Sequence, residues 1–195
     1  MLSPAFPEPA LASQAVFRAA MDALARPGKV TALPRAMAAP APLSGTAAAL
    51  ACTLLDYETA VWLDAALSEA PQVAEWIRFN TGAAITPDPQ RASFAFIADP
   101  SSMPAFEQFS LGTDEYPDRS TTLVLQVRGF GNSERLVLSG PGIADRTSLS
   151  AEPLPTDFCA RLAANRVLFP RGVDVILVSA DSVAALPRSV VSERG

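Results

Sequence analysis

The 195-residue chain has no histidine, and its one lysine is Lys29. Imidazole is the usual proton carrier near neutral pH, and a lysine amine is what holds a Schiff-base cofactor. Without histidine, a serine-hydrolase triad is excluded. A Schiff-base enzyme would have to rely on Lys29, which follows Pro27-Gly28 near the N-terminus, far from where such a lysine is expected. The other 14 basic residues are arginines, and the chain is rich in alanine and proline. Codon bias in a GC-rich genome accounts for the scarce lysine better than for the missing histidine. Together the absences tilt the reading toward a binding or assembly subunit.

Cysteine is nearly as sparse. Cys52 and Cys159 stand more than half the chain apart, outside any C-x-x-C pair and with no histidine to complete a zinc site. Both fall in helix-like segments and read as buried, reduced thiols. The net charge of −5 comes with scattered basic residues, so a nucleic-acid stripe is absent. Met1-Leu2-Ser3-Pro4-Ala5 lacks the basic and apolar regions of a signal peptide. The uncharged run from Ala36 to Leu55 is interrupted by Pro40, Pro42, Ser44 and Gly45. It reads as a loop and a core helix, not a membrane span. The expectation is a cytoplasmic chain with no membrane or nucleic-acid partner.

What is present is apolar bulk, 49% of residues against 18% charged, enough for a packed core. A single domain over 1–195 is expected. Ser13 to Arg26 is a helix with Ser13 as its cap, Pro27-Gly28 as its end, and Arg18 and Asp22 paired on the solvent face. Lys29 to Leu33 is a short strand. Ser44 caps a buried helix from Thr46 to Leu55, the turn Asp56 to Thr59 leads into the strand Ala60 to Leu63, and Pro71 starts a helix to Phe79. Ser93 to Ala98 is a strand and Met103 to Phe109 a short helix. Thr121 to Val127 and Arg135 to Ser139 are strands that the turn Gly129 to Ser133 joins into a hairpin. Asp157 to Ala164 is a helix with Thr156 as cap, Val173 to Ser179 a buried strand, and Val183 to Val191 extended around Pro187. Interleaved helices and strands define an α/β class, and the hairpin makes its sheet mixed.

Few patterns carry chemistry. Gly140-Pro141-Gly142 lacks the third glycine of a dinucleotide loop, since position 145 is Asp145, and lacks a Walker lysine; it reads as a tight turn. Gly131 to Arg135 begins like a nucleophile elbow but lacks its final glycine. Asp114, Glu115 and Asp118 match no metal-loop spacing and read as a solvated turn. More suggestive are arginines beside turn hydroxyls: Arg78 with Thr81, Arg119 with Ser120 and Thr121, and Arg188 with Ser189. A guanidinium fork, a hydroxyl and turn N–H groups together suit phosphate or phosphonate oxygens. No residue is assigned a catalytic or metal-ligating role.

Blocks along nearly the whole chain resemble one family. They are Phe17-Arg18 through Met21 to Arg26-Pro27-Gly28, Leu54-Leu55-Asp56, Thr59 to Leu63, Arg78-Phe79-Asn80-Thr81, Leu111-Gly112-Thr113, Pro117 and Thr121 to Val127. The series closes with Leu138 to Ile143, Phe169 to Asp174 and Ala185 to Arg188. In this order they resemble the PhnH subunit of the bacterial carbon–phosphorus lyase system. The resemblance implies a three-layer α/β/α sandwich like the large domain of pyridoxal-phosphate-dependent transferases, without that cofactor. It implies a homodimer that joins sister subunits of a core complex. That complex couples a phosphonate to the ribose of a nucleoside triphosphate, displacing the base, before a radical subunit cleaves the carbon–phosphorus bond. It brings no catalytic residue to carry over, and it implies a histidine where this chain has Asn80. The expectation is a non-catalytic or co-catalytic subunit that meets a phosphonate or nucleoside triphosphate, with Arg78, Thr81, Arg119, Thr121 and Arg188 as anion-binding candidates. The alternative is a stand-alone small-molecule binder or enzyme using the same arginines.

Overall fold

A computed structural model describes residues 9–33, 37–131 and 135–195. Its helices are α1 (Pro9–Ala25), α2 (Gly45–Leu54), α3 (Ala65–Ser68), α4 (Pro71–Thr81) and α5 (Phe158–Val167). The first six strands are β1 (Thr31–Ala32), β2 (Ala60–Leu63), β3 (Ala84–Ile85), β4 (Phe94–Ile97), β5 (Thr122–Gln126) and β6 (Gly129–Phe130). The rest are β7 (Leu136–Ser139), β8 (Thr147–Leu149), β9 (Ala151–Glu152), β10 (Asp174–Val178), β11 (Ser182–Leu186) and β12 (Val191–Arg194).

Seven strands form the main sheet in the order β1-β11-β10-β5-β4-β2-β3, with β12-β7-β8 as a second sheet and β6-β9 as a short ladder. From β10 to β3 the main sheet is parallel, and at one side β11 pairs antiparallel with both β10 and β1. The class is mixed α/β, as expected. The cause of the mixture is different. β5 pairs with β4 and β10, whereas β7 pairs with β12 and β8, so the expected hairpin between them does not form. Leu123, Val124 and Leu125 are wholly buried, the mark of a central strand covered on both faces. In β7 burial alternates, as in a strand with one wet face. A tight-turn signal between two strands does not encode which neighbours each will take. Asn132 and Ser133 of the expected turn lie outside the described residues, as do Met1 to Ala5 and Ala36.

Burial on the two faces of the main sheet follows the strand period of two. Phe96, Val124, Ile176 and Val178 pack with α1, α2 and α4 on one face. Ala95, Ile97, Leu123, Leu125, Val175 and Leu177 pack on the other with α5, Leu136 and Leu138 of β7, and Phe106 and Phe109. Cys52 packs against the first cluster and Cys159 against the second. Both thiols are free and half-buried, less enclosed than expected.

Local signals fixed most boundaries. Ser44 accepts from Ala47 N at 3.2 Å and caps α2 as expected. Pro71 begins α4, and Gly82 ends it in the left-handed region. Four readings need correction. Helix α1 starts at Pro9, where a first-turn proline costs no hydrogen bond, so Ser13 lies inside the helix and is not its cap. On the same helix Asp22 pairs with Arg26 and Lys29, at 2.9 and 3.1 Å, and not with Arg18. Residue 157, not Thr156, precedes α5, and its carboxylate holds Arg161 at 2.8 Å. The expected helix from Met103 to Phe109 shrinks to one 3-10 turn, Phe106–Gln108, because Pro104 disfavours helical backbone just before it.

Two recognisable blocks interlock at the end of α1. A Cβ on Gly142 would stand 2.2 Å from the carbonyl oxygen of Ala25, and one on Gly28 would stand 2.7 Å from Leu138 Cδ1. Both glycines have positive φ. Gly142 therefore lies against the Ala25 backbone and Pro27, and Gly28 against the side chains of Leu138 and Thr147, with no room for a Cβ at either.

Candidate functional site

In an open parallel sheet, ligands usually settle beyond the carboxyl ends of the strands, where the strand order reverses. Here the order reverses between β2 and β4. The side chain that fills that position is Asp64, 6% exposed, immediately after β2. Its Oδ1 accepts from Leu67 N at 3.0 Å and caps α3. Its Oδ2 accepts from Ala98 N at 2.8 Å and Asp99 N at 3.0 Å, just beyond β4. A buried carboxylate with three N–H donors is satisfied. The crevice is stitched shut by the chain itself.

Further along the same edge, Gln126 at the end of β5 accepts from Ser44 N and donates from Nε2 to Pro42 O at 3.1 Å. Thr46 donates to the carbonyl of Ser179, just beyond β10. These contacts tie the start of α2 to the ends of two strands. Polar groups that could have met a ligand hold backbone instead.

The five candidate residues lie at the opposite edge. Thr81 precedes β3, Thr121 precedes β5, and Arg188 follows β11 beside the start of β10. Across β3-β2-β4-β5, three strand spacings separate Thr81 from Thr121 by roughly 14 Å. The fold therefore makes two groups: Arg78 with Thr81, and Arg119 and Thr121 with Arg188.

Most of their hydrogen-bonding capacity is engaged. Thr81 Oγ1 donates to Ile77 O at 2.8 Å and accepts from Ala83 N at 3.0 Å. Thr121, fully buried, donates to Ala92 O at 2.6 Å and accepts from Ser110 N at 3.2 Å. Arg188 holds Asp174 through Nε at 3.2 Å and Nη2 at 2.6 Å. It also reaches Ser120 Oγ at 2.6 Å, Pro117 O at 2.6 Å and Pro170 O at 3.4 Å. Of the three candidate arginines, Arg188 is paired with Asp174, and Arg78 and Arg119 have no carboxylate partner among the described residues. The Arg119 guanidinium lies 4.1 Å from the centre of the Tyr116 ring. It also lines a polar cavity of about 250 Å³ with Arg91, Ser93, Ser110 and Ser120. Sequence reasoning missed Arg91, although Ser93 stands two residues on, a spacing no wider than that of Arg78 and Thr81.

The remaining candidates fall into place around these. Asn80 donates from Nδ2 to Trp76 O at 2.9 Å, a helix-terminal role. Asp114 is exposed and pairs with Arg171 at 3.2 Å. Among the described residues no group of three or more Cys, Asp or Glu is placed to hold a metal ion. Lys29 lies on the surface, 3.1 Å from Asp22. No helix among the described residues is long and apolar enough to cross a membrane.

Fold and site together define a mixed α/β protein whose usual ligand crevice is closed from within. The chain belongs to the PhnH family: residues 4–193 match the family model described as "Bacterial phosphonate metabolism protein (PhnH)". It is 44% identical over 192 residues, 98% of this chain and 96% of the relative, to a Rhizobium meliloti (strain 1021) protein. That relative is named "Alpha-D-ribose 1-methylphosphonate 5-triphosphate synthase subunit PhnH". A "Putative C-P lyase subunit protein HtxG" of Stutzerimonas stutzeri is 38% identical over 79 residues, 40% of each chain.

Proposed function

We propose that this chain is a PhnH-type subunit of a ribose 1-methylphosphonate 5-triphosphate synthase within a carbon–phosphorus lyase system. It acts as a non-catalytic or co-catalytic partner, in the cytoplasm and as one domain. The observation that carries this reading is the near full-length 44% identity to a subunit of that synthase. The chemistry of the chain agrees with it. The crevice position belongs to Asp64, and the chain has no imidazole for proton transfer. Within the assembly, the edge bearing Arg78, Thr81, Arg119, Thr121 and Arg188 faces anionic groups of a phosphonate or nucleoside triphosphate. Arg78 and Arg119 would supply the donors, while Thr81, Thr121 and Arg188 shape the backbone beneath them. The test is affinity purification of the tagged chain co-expressed with the other subunits from its own genome. Stoichiometric recovery of those subunits is expected. Purification of this chain as a lone species, or release of free base from nucleoside triphosphate and phosphonate by it alone, would overturn the reading.

The sheet, with helices α1, α2 and α4 on one face and α5 with the small sheet on the other, is read as the three-layer scaffold of pyridoxal-phosphate-dependent transferases without the cofactor. A homodimer is part of the same reading, and sedimentation of the purified chain tests it: a monomer at micromolar concentration would count against it.

A further inference from the structure

Helix α5 lacks a polar outer face. Phe158, Leu162 and Asn165 turn inward. On the opposite side, at i, i+3, i+4 and i+7, Ala160, Ala163, Ala164 and Val167 are all exposed. A surface helix ordinarily carries charged or polar residues there. Val167 is 84% exposed and Phe169, just beyond the helix, 53% exposed, so the apolar stripe widens where the helix ends. Its three alanines make a shallow surface about two turns long, which a second helix can approach closely.

The charges around the stripe limit what can lie on it. Asp157 and Arg161 share one flank and hold each other at 2.8 Å. Arg171, two residues beyond Phe169, pairs with Asp114 at 3.2 Å. Arg166 stands on the other flank with no carboxylate partner among the described residues, its guanidinium 5.1 Å from the centre of the Phe169 ring. Its Nε is shielded from solvent and has no hydrogen-bond partner among those residues. A covered donor of that kind costs stability until an acceptor reaches it. A second copy of α5 does not supply one. Turned antiparallel about Ala163 and Ala164, it would bring the flank of Cys159, which carries no carboxylate, opposite Arg166.

We propose that this stripe is a docking surface for an amphipathic helix of another subunit of the assembly. That helix lays apolar residues on Ala160, Ala163, Ala164 and Val167, and carries an aspartate or glutamate that meets Arg166. Phe169 closes the end of the contact; an aromatic ring beside an arginine is typical of the energetic centre of an interface. The surface presupposes the subunit reading, because its partner comes from that assembly.

The test is recovery of the other subunits by the tagged full-length chain, co-expressed with them from its own genome. Val167→Asp and Arg166→Glu should each lower recovery about tenfold or more, the loss of one interface hot spot. A second readout does not depend on how those variants fold. In Ala163→Cys, maleimide labelling at position 163, read by peptide mapping, should be at least tenfold slower in the recovered complex than in the chain alone. Undiminished recovery by both charge variants, or equal labelling of Ala163→Cys in the two states, would overturn the α5 surface and leave the subunit reading standing. Failure of the wild-type chain to recover any subunit would overturn both.

Discussion

Asp174 and Arg188 grip each other at the start of β10. The carboxylate takes two guanidinium bonds, at 2.6 and 3.2 Å, and its Oδ1 accepts from the Arg188 backbone N–H at 2.8 Å. Both side chains are largely covered, at 22% and 14% exposure. The arginine then gathers Pro117 and Ser120 from the loop before β5 and Pro170 from the loop before β10, so one guanidinium ties two loops to its own. A residue that reads as an anion receptor in sequence is a cross-brace in the fold.

Removing that brace leaves a covered carboxylate without its cation and several loop acceptors without donors. Arg188→Ala is expected to lower stability by about 2–4 kcal/mol; Arg188→Lys should cost less, because it keeps a cation beside Asp174, but not nothing, because an ammonium cannot span the same acceptors. Urea unfolding measures both. A loss below about 0.5 kcal/mol for the alanine variant would show that the brace is energetically idle.

Asp64→Ala should cost a similar amount, about 2–4 kcal/mol, because three backbone donors at the crevice lose their acceptor. Asp64→Asn keeps one carbonyl oxygen and should fall between the two. Amide exchange at Leu67, Ala98 and Asp99 reads the effect locally. Unchanged protection there would mean the crevice is closed by something else.

The α1 interlock gives a sharper contrast. Gly142→Ala must displace the Ala25 carbonyl and accept a positive φ, so a loss of about 2 kcal/mol or more is expected. Gly129→Ala meets nothing within 4 Å and should change stability by less than about 0.5 kcal/mol. Equal thermal shifts for the two would refute the interlock.

Acid sensitivity should trace in part to Asp99. Hydrogen bonds from the Ser101 and Ser102 hydroxyls hold its carboxyl below the ordinary 3.8. A depressed folded-state value stabilises the fold above the unfolded pKa, and that contribution is lost as pH falls through the folded value. Asp99→Asn should flatten the pH–stability curve below about pH 4. Superimposable acid limbs would contradict the assignment.

The two thiols should separate by reactivity. Burial pushes Cys52 from its ordinary 9.0 up to about 11, whereas Cys159 lines an open cavity. At pH 8 a maleimide is expected to label Cys159 fast and Cys52 slowly, by peptide mapping. The raised value also means that Cys52 favours the fold below its unfolded pKa, a contribution lost as pH climbs toward 11. Equal labelling rates would remove this distinction.

Much of the architecture was legible from short-range signals. Ser44, Pro71 and Gly82 marked helix ends, and the apolar runs Ala60 to Leu63 and Val173 to Ser179 marked strands, because capping and side-chain period act within a few residues. Pairing was less legible. β5 and β7 look like hairpin partners along the chain, yet each finds its neighbours far away, where burial on both faces or on one decides the choice. The short strands β3, β8 and β9 carry too few residues for a pattern.

By itself the sequence determined the α/β class, the family and the absence of an imidazole, since these rest on composition and on residues read in order. Only the tertiary structure decided what the polar side chains do. It turned Arg188 inward onto Asp174, laid Asp64 across the crevice, and gathered Arg128 and Arg194 from distant segments around one apolar floor. A side chain's availability depends on which acceptors the rest of the chain brings within about 3 Å, and that distance is set by packing between segments remote in sequence.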